Sequence, residues 1–309
     1  MSAKIFPKSL KKGDKIAIIS PAGAVEETQL LDTLSLIKSK GYEPVLGKYT
    51  FGKFENGYPY SGTEKERLHD LNWALNDDDI AAVWATRGGY GCQHLVKGLK
   101  LSKFKKKPKW YIGYSDNTVI QSYLMKKGFA SIHGQTIKTA GFGVSEESYE
   151  GIFNILEGKK LKYEIDAHPF NKKGKAEGQL VGGNLALVYA LLGTPYSFDF
   201  KDNILFIEDI GENFYALDRM LMSLDLAGVF KKIKGLVIGG MTLMGNEKEN
   251  KTYETSFDEV AYDIIRQRIA AYDFPVVYAF PNGHIYDNRP LIIGAEVKIK
   301  VDKEVRLEF

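Results

Sequence analysis

Short apolar runs alternate with helical patterns through the first half of the chain, and that alternation limits the folds open to it. Strands are predicted at Ile16 to Ser20, Pro44 to Leu46, Ala81 to Ala85 and Trp110 to Ile112, interleaved with helices at Thr28 to Lys40, Glu64 to Leu75, Gln93 to Leu99 and Thr118 to Lys127. Strands separated by crossover helices make a parallel sheet. The stretch from Gly158 to Lys175 is charged and has no helical period, so it is the predicted connection between domains. Beyond it, short strands at Ala176 to Leu180, Ile204 to Ile207, Gly235 to Ile238, Val276 to Ala279 and Val297 to Val301 surround helices. The expected architecture is α/β: an N-terminal parallel-sheet domain over residues 1–157, a connection over 158–175, and a smaller mixed α/β C-terminal domain over 176–309.

A length of 309 residues with 44% hydrophobic content suits two cores better than one. The formal charge of +3 gives no reason to expect a nucleic acid partner, and the run Lys103 to Lys109 reads as a solvated loop. A lone cysteine, Cys92, excludes an intrachain disulfide and a cysteine-based zinc site and suits a reducing compartment. Cys92 itself falls in a helix and reads as buried and inert. Lys4, Lys8, Lys11, Lys12, Asp14 and Lys15 interrupt any N-terminal apolar segment, so no secretory signal is expected. The apolar stretch Leu236 to Gly245 is too short to cross a bilayer. The expected location is the cytoplasm. Trp73, Trp84 and Trp110, and Met220, Met222, Met241 and Met244, read as packing residues.

Chemistry first surfaces in Trp110-Tyr-Ile-Gly-Tyr-Ser-Asp-Asn-Thr, where an apolar strand runs through a glycine into Ser115 and then a helix. Such a strand-turn-helix elbow exposes a serine Oγ beside free backbone N–H groups. Asn117 stands where the Gly-x-Ser-x-Gly pattern has its second glycine, and the competing reading of Ser115 is a helix N-cap. A nucleophile needs a base. Of the five histidines, His69 and His94 lie in helical patterns, His133 near a short strand and His168 in the connection, whereas His284 follows the strand Val276 to Ala279 on the loop Pro281-Asn-Gly-His. Loops at strand C-termini are where α/β folds collect function. The orienting acid is sought in Glu208-Asp-Ile-Gly-Glu, which follows an apolar strand; spacing leaves Glu208, Asp209 and Glu212 all open, and capping is their bland alternative. The order serine, acid, histidine is that of α/β-hydrolases. Thr86-Arg-Gly-Gly-Tyr-Gly supplies a glycine turn after a strand, with Gly88, Gly89 and Asp116 as sources of oxyanion-binding N–H groups. The turn lacks Gly-x-Gly-x-x-Gly and any following Gly-Lys-Ser/Thr, which disfavours a nucleotide cradle.

Taken in order, the segments beginning Ile16-Ala-Ile-Ile-Ser-Pro-Ala-Gly and Gly62-Thr-Glu-Lys-Glu-Arg, then Thr86-Arg-Gly-Gly-Tyr-Gly and Ile112-Gly-Tyr-Ser-Asp-Asn-Thr, resemble the LD-carboxypeptidases. Val181-Gly-Gly-Asn-Leu, Leu192-Gly-Thr-Pro-Tyr, Leu205-Phe-Ile-Glu-Asp-Ile-Gly-Glu-Asn-Phe-Tyr and Phe280-Pro-Asn-Gly-His extend the resemblance nearly end to end. This serine peptidase family contains muramoyltetrapeptide carboxypeptidases and microcin C self-immunity peptidases. The resemblance implies a triad of Ser115, Glu208 and His284, with backbone oxyanion donors at Asp116 and Gly89. It implies hydrolysis of the bond before a C-terminal D-alanine in murein tetrapeptides, without metal or other cofactor, by a homodimer. A small peptide or muropeptide is then the partner, with no nucleic acid and no membrane. Arg87, beside the glycines, is the candidate clamp for the substrate carboxylate because a guanidinium binds carboxylate bidentately, unless it pairs with a structural acid. Two other readings compete: a self-immunity peptidase acting on a peptidyl-nucleotide antibiotic, and a non-catalytic α/β ligand-binding module.

Overall fold

The computed structural model describes residues 5–138, 143–245 and 257–309. The first half contributes β1 (Lys15–Ile19), α1 (Leu31–Ser39), β2 (Glu43–Leu46), the hairpin β3 (Phe54–Glu55) and β4 (Pro59–Tyr60), α2 (Glu64–Asn76), β5 (Ile80–Ala85) and α3 (Cys92–Leu95). It continues through β6 (Trp110–Gly113), α4 (Thr118–Lys126), β7 (Ser131–His133) and α5 (Glu146–Leu156). The second half holds β8 (Lys162–Asp166), β9 (Gly174–Asn184), α6 (Leu185–Ala190), β10 (Ile204–Ile210), α7 (Phe214–Leu226) and β11 (Gly235–Thr242). It ends with α8 (Glu259–Arg268), β12 (Val276–Val277), β13 (Leu291–Ile293), β14 (Glu296–Val301) and β15 (Glu304–Glu308).

The first sheet has the order β13-β7-β6-β5-β1-β2 and is parallel except for β13, which runs antiparallel to β7. Its strands feed two cores. Ile16 and Ile18 pack with Trp84 and Ile112 on one face, while Ala17 and Ile19 pack with Val83 and Tyr111 on the other. Side chains alternate across a strand, so a run that is apolar at every position is one whose two faces are both covered. The core containing Ile16 continues without a break into the second sheet, through Leu180, Leu205 and Phe206.

That second sheet has the order β12-β11-β10-β9-β14-β15-β8. β9 joins its two characters: Leu180 to Asn184 pairs in parallel with β10, and Gly174 to Gln179 pairs antiparallel with β14. Two features differ from the sequence expectation. The charged stretch at 158–175 is not a bare connection, because Lys162–Asp166 forms β8 and pairs with β15. Leu291–Ile293, expected with the second domain, returns to the first sheet, where Leu291 faces His133.

Local signals fix the helices. Thr63 caps α2 with a box in which its hydroxyl accepts the Glu66 N–H and the Glu66 carboxylate accepts the Thr63 N–H. At the other end Lys109 donates to the Ala74 and Asp77 carbonyls, a cation placed at the negative pole of the helix. Lys109 is buried and Phe104 with it, so the exposed part of the lysine run is Lys103 and Lys105 to Lys107. Burial lowers the Lys109 pKa to about 8. Trp84 and Trp110 are buried, as are Met220, Met241, Met244 and Cys92. Among the described residues, no helix is long and apolar enough to cross a membrane.

Candidate active site

β6 ends at Gly113, and Ser115 opens a single 3-10 turn, Ser115–Asn117, that leads into α4. Ser115 has a φ of 62°, in the left-handed region that a residue with a side chain enters only under constraint. The constraint is visible. The Asn117 side chain donates to the Tyr114 carbonyl at 3.0 Å and the Arg87 carbonyl at 3.4 Å, and accepts from the Tyr111 hydroxyl at 2.5 Å. The absent side chain of Gly113 makes room for it, since a Cβ there would sit 2.8 Å from Asn117 Cγ. Asn117 therefore closes the turn by hydrogen bonding, which explains how the chain departs from the Gly-x-Ser-x-Gly pattern and keeps an elbow.

The glycine turn after β5 packs directly on this elbow. A Cβ on Gly88 would lie 2.7 Å from Ser115 Cβ, 2.8 Å from its Oγ and 3.3 Å from the Asp116 nitrogen. Asp116 turns its carboxylate away from Ser115 to accept the Cys92 N–H at 2.7 Å, tying the start of α3 to the elbow. Burial pushes the Asp116 pKa up to about 6. The Gly88 carbonyl accepts from Gly23 N–H at 3.3 Å, and because a peptide is trans, the Gly89 N–H points the opposite way. Among the described residues, neither the Gly89 N–H nor the Asp116 N–H has a protein acceptor. Arg87 donates to the Ala24 carbonyl at 3.1 Å and forms no ion pair among the described residues, so the structural-acid reading finds no partner.

Across the crevice, Glu208 is fully buried on β10 and its Oε2 accepts from His284 Nδ1 at 2.7 Å. A carboxylate only accepts, so Nδ1 carries the hydrogen and Nε2 holds the lone pair. Burial opposes charge on both groups, but the Glu208 charge and hydrogen bond hold His284 above the ordinary histidine range, and the same pairing holds Glu208 below the usual carboxylate range. The two groups meet because Gly283, with a φ of 120°, has no Cβ to strike Glu208 Oε2 at 2.9 Å. Opposite Glu208 the β10–β11 register slips, and the Gly240 N–H in that bulge binds the Asn282 carbonyl at 2.9 Å. The loop is tied to the first lobe as well: Asn288 binds Gly283 N–H, Ser148 Oγ and Gln135 Oε1.

The ring of Tyr114, the residue before the serine, lies 4.8 Å centroid to centroid from the His284 imidazole. Contact between elbow and imidazole runs through this ring; no hydrogen bond joins Ser115 Oγ to His284 Nε2 among the described residues. Asp209, one residue along β10, faces the other way and accepts from Asn184 Nδ2, Ala186 N–H and Ile210 N–H. Burial and then the Glu208 charge raise its pKa to about 7. Glu212 lies outside β10 and is half-buried. His69 pairs with Asp70, His94 meets Tyr90, and His168 sits among Phe170, Tyr262 and Tyr278. His133, passed over in the sequence, lies behind the pair: it is fully buried, bound through Nδ1 to Gln121 at 3.2 Å, and burial lowers its pKa to about 4. Among the described residues, no group of three or more His, Cys, Asp or Glu side chains is placed to hold a metal ion.

Residues 16–134 match the family model of the LD-carboxypeptidase N-terminal domain, and residues 177–299 match that of the LD-carboxypeptidase C-terminal domain. The chain is 33% identical over 298 residues to a Bacillus subtilis (strain 168) protein named "Probable murein peptide carboxypeptidase", covering 94% of this chain and 90% of that protein. It is 31% identical over 288 residues to the murein tetrapeptide carboxypeptidase of Pseudomonas aeruginosa, covering 89% of each. Among solved structures, the muramoyltetrapeptide carboxypeptidase from Oxalobacter formigenes superposes with a TM-score of 0.82 at 28% identity, covering 95% of this chain and 98% of that one.

Proposed function

The chain belongs to the LD-carboxypeptidase family, and from that premise we propose that it is a serine peptidase that removes the C-terminal D-alanine from murein tetrapeptides. Ser115 is the nucleophile, His284 its base and Glu208 the acid that orients the base. The observation carrying this reading is the buried Glu208–His284 pair set against a strained serine elbow.

In the first step His284 Nε2 takes the Ser115 proton as Oγ attacks the carbonyl carbon preceding D-alanine. The oxyanion is held by the N–H groups of Asp116 and Gly89, donors that no protein acceptor occupies among the described residues. His284 passes its proton to the D-alanine nitrogen, the C–N bond breaks, and an acyl-serine remains. Water enters, gives a proton to His284 and its oxygen to the acyl carbon; as the ester bond breaks, His284 returns that proton to Ser115 Oγ and the product acid leaves. Glu208 stays ionised throughout and stabilises the imidazolium. The serine–histidine hydrogen bond is one that forms as substrate fills the crevice, since such bonds are often long in empty sites. Arg87 is the clamp for the terminal carboxylate. We propose a cytoplasmic location because the lone cysteine suits a reducing compartment, and, on the strength of the family resemblance, a homodimer acting on murein fragments.

Mass spectrometry of a murein tetrapeptide incubated with each protein tests the proposal. Wild type is expected to release D-alanine and Ser115→Ala to release it roughly 10⁵-fold more slowly or not at all. Equal release by both would remove Ser115 from the nucleophile's role.

A further inference from the structure

After β7 the chain turns back across the C-terminal ends of the first sheet's strands. Gly134 N–H binds the Gly113 carbonyl at 3.2 Å, Ile137 N–H binds Ala85 at 3.2 Å, and Lys138 N–H binds Thr86 at 2.8 Å. Lys138 is thereby laid beside the residue preceding Arg87, on the edge of the crevice where Gly88 meets Ser115. Neither cation is neutralised: among the described residues the Lys138 ammonium has no hydrogen bond or ion pair, and the Arg87 guanidinium spends only one donor, on the Ala24 carbonyl. Burial and then the Arg87 charge hold the Lys138 pKa below the ordinary lysine range, so the two charges sense each other. The guanidinium is also fixed in place. A Cβ on Gly23 would lie 3.1 Å from Arg87 Nε and 2.9 Å from the Tyr58 hydroxyl, so the group is wedged between the β1 loop and the β3–β4 hairpin.

Two cations that sense each other, neither with an acidic partner among the described residues, repel unless an anion joins them, and here they lie beside the elbow that carries Ser115. We infer that Lys138 and Arg87 form a two-cation seat for the free α-carboxylate of the substrate's last residue, and that Lys138 is the specificity-determining residue that restricts the enzyme to chain ends. This rests on the carboxypeptidase reading above and adds a residue and a selectivity to it. A peptide extended or amidated at its C-terminus presents no charge to the seat and leaves both half-buried cations against a neutral group.

The test is steady-state kinetics on two tetrapeptides that differ only in ending as carboxylate or as carboxamide. Wild type is expected to prefer the carboxylate. Lys138→Met should raise KM for the carboxylate about tenfold with little change in kcat, leave the amide unaffected and so collapse the preference, whereas Lys138→Arg should retain it. Lys138→Gln replaces the Met variant if that protein melts early. An unchanged carboxylate-to-amide ratio in the uncharged variant, or an equal KM rise for both peptides, overturns the seat while leaving the carboxypeptidase reading intact. A wild type that releases no D-alanine from the carboxylate peptide overturns that reading and the seat with it.

Discussion

At the elbow, Ser115 is held by backbone: a φ of 62°, a glycine whose Cβ would lie 2.8 Å from Oγ, and N–H groups without protein acceptors among the described residues. Across the crevice, Glu208 and His284 are held by a buried side-chain hydrogen bond of 2.7 Å, and opposed charges offset what burial costs them. The first half works by shape and is intolerant of a single added methyl. The second works by electrostatics, and losing one charge undoes it even where volume is kept. The two halves respond to different perturbations, which makes the comparison open to experiment.

Among substitutions that separate the two halves, the largest effect is expected from Glu208→Gln, which keeps the volume and removes the charge. kcat/KM should fall about 10⁴-fold. In wild type the carboxylate holds His284 above the ordinary histidine range, so the neutral base, and activity with it, is lost as pH falls through a point above about 6.5. Without that charge burial is opposed only by the lesser pull of Asp209, and the acid limb of the profile should move to lower pH. A limb that stays in place would show that the electrostatic half is misassigned. A smaller effect is expected from Gly88→Ala, whose Cβ would come 2.7 Å from that of Ser115. Displacing the nucleophile should lower kcat about 10²-fold with the pH profile unmoved; a shifted profile would mean that the halves are not separable. Smallest in rate is Asn117→Gly, which restores the hydrolase pattern yet deletes the bonds to Tyr111, Tyr114 and Arg87. It should cost about 1–3 kcal/mol of stability in urea unfolding. Unchanged stability would show that the asparagine does not close the turn.

What the sequence disclosed follows the same division. Ser115 was readable because an elbow is local: strand, glycine, serine and helix are contiguous. The choice among Glu208, Asp209 and Glu212 was left to family resemblance, because successive strand residues face opposite sides and only the assembled sheet fixes which side holds the histidine. In the structure, Glu208 meets His284 while Asp209 serves the start of α6. β1, β5 and β6 were legible as apolar runs, buried on both faces. β8 was not, because its exposed positions, Lys162, Glu164 and Asp166, gave the segment the look of a linker while Tyr163 and Ile165 turned inward. Lys138 carries no local signal; its meaning lies in crossing back over Thr86.

The return of Leu291–Ile293 to the first sheet bears on how the molecule is made. On the ribosome the amino-terminal lobe emerges long before Leu291–Ile293, so the β7 edge stays open until that distant segment has been translated. Unpaired strand edges are sites of misassociation, and chaperone demand should therefore last until that late segment docks. The same segment follows directly on the His284 loop, so the strand that closes the first sheet's edge also tethers the proposed base.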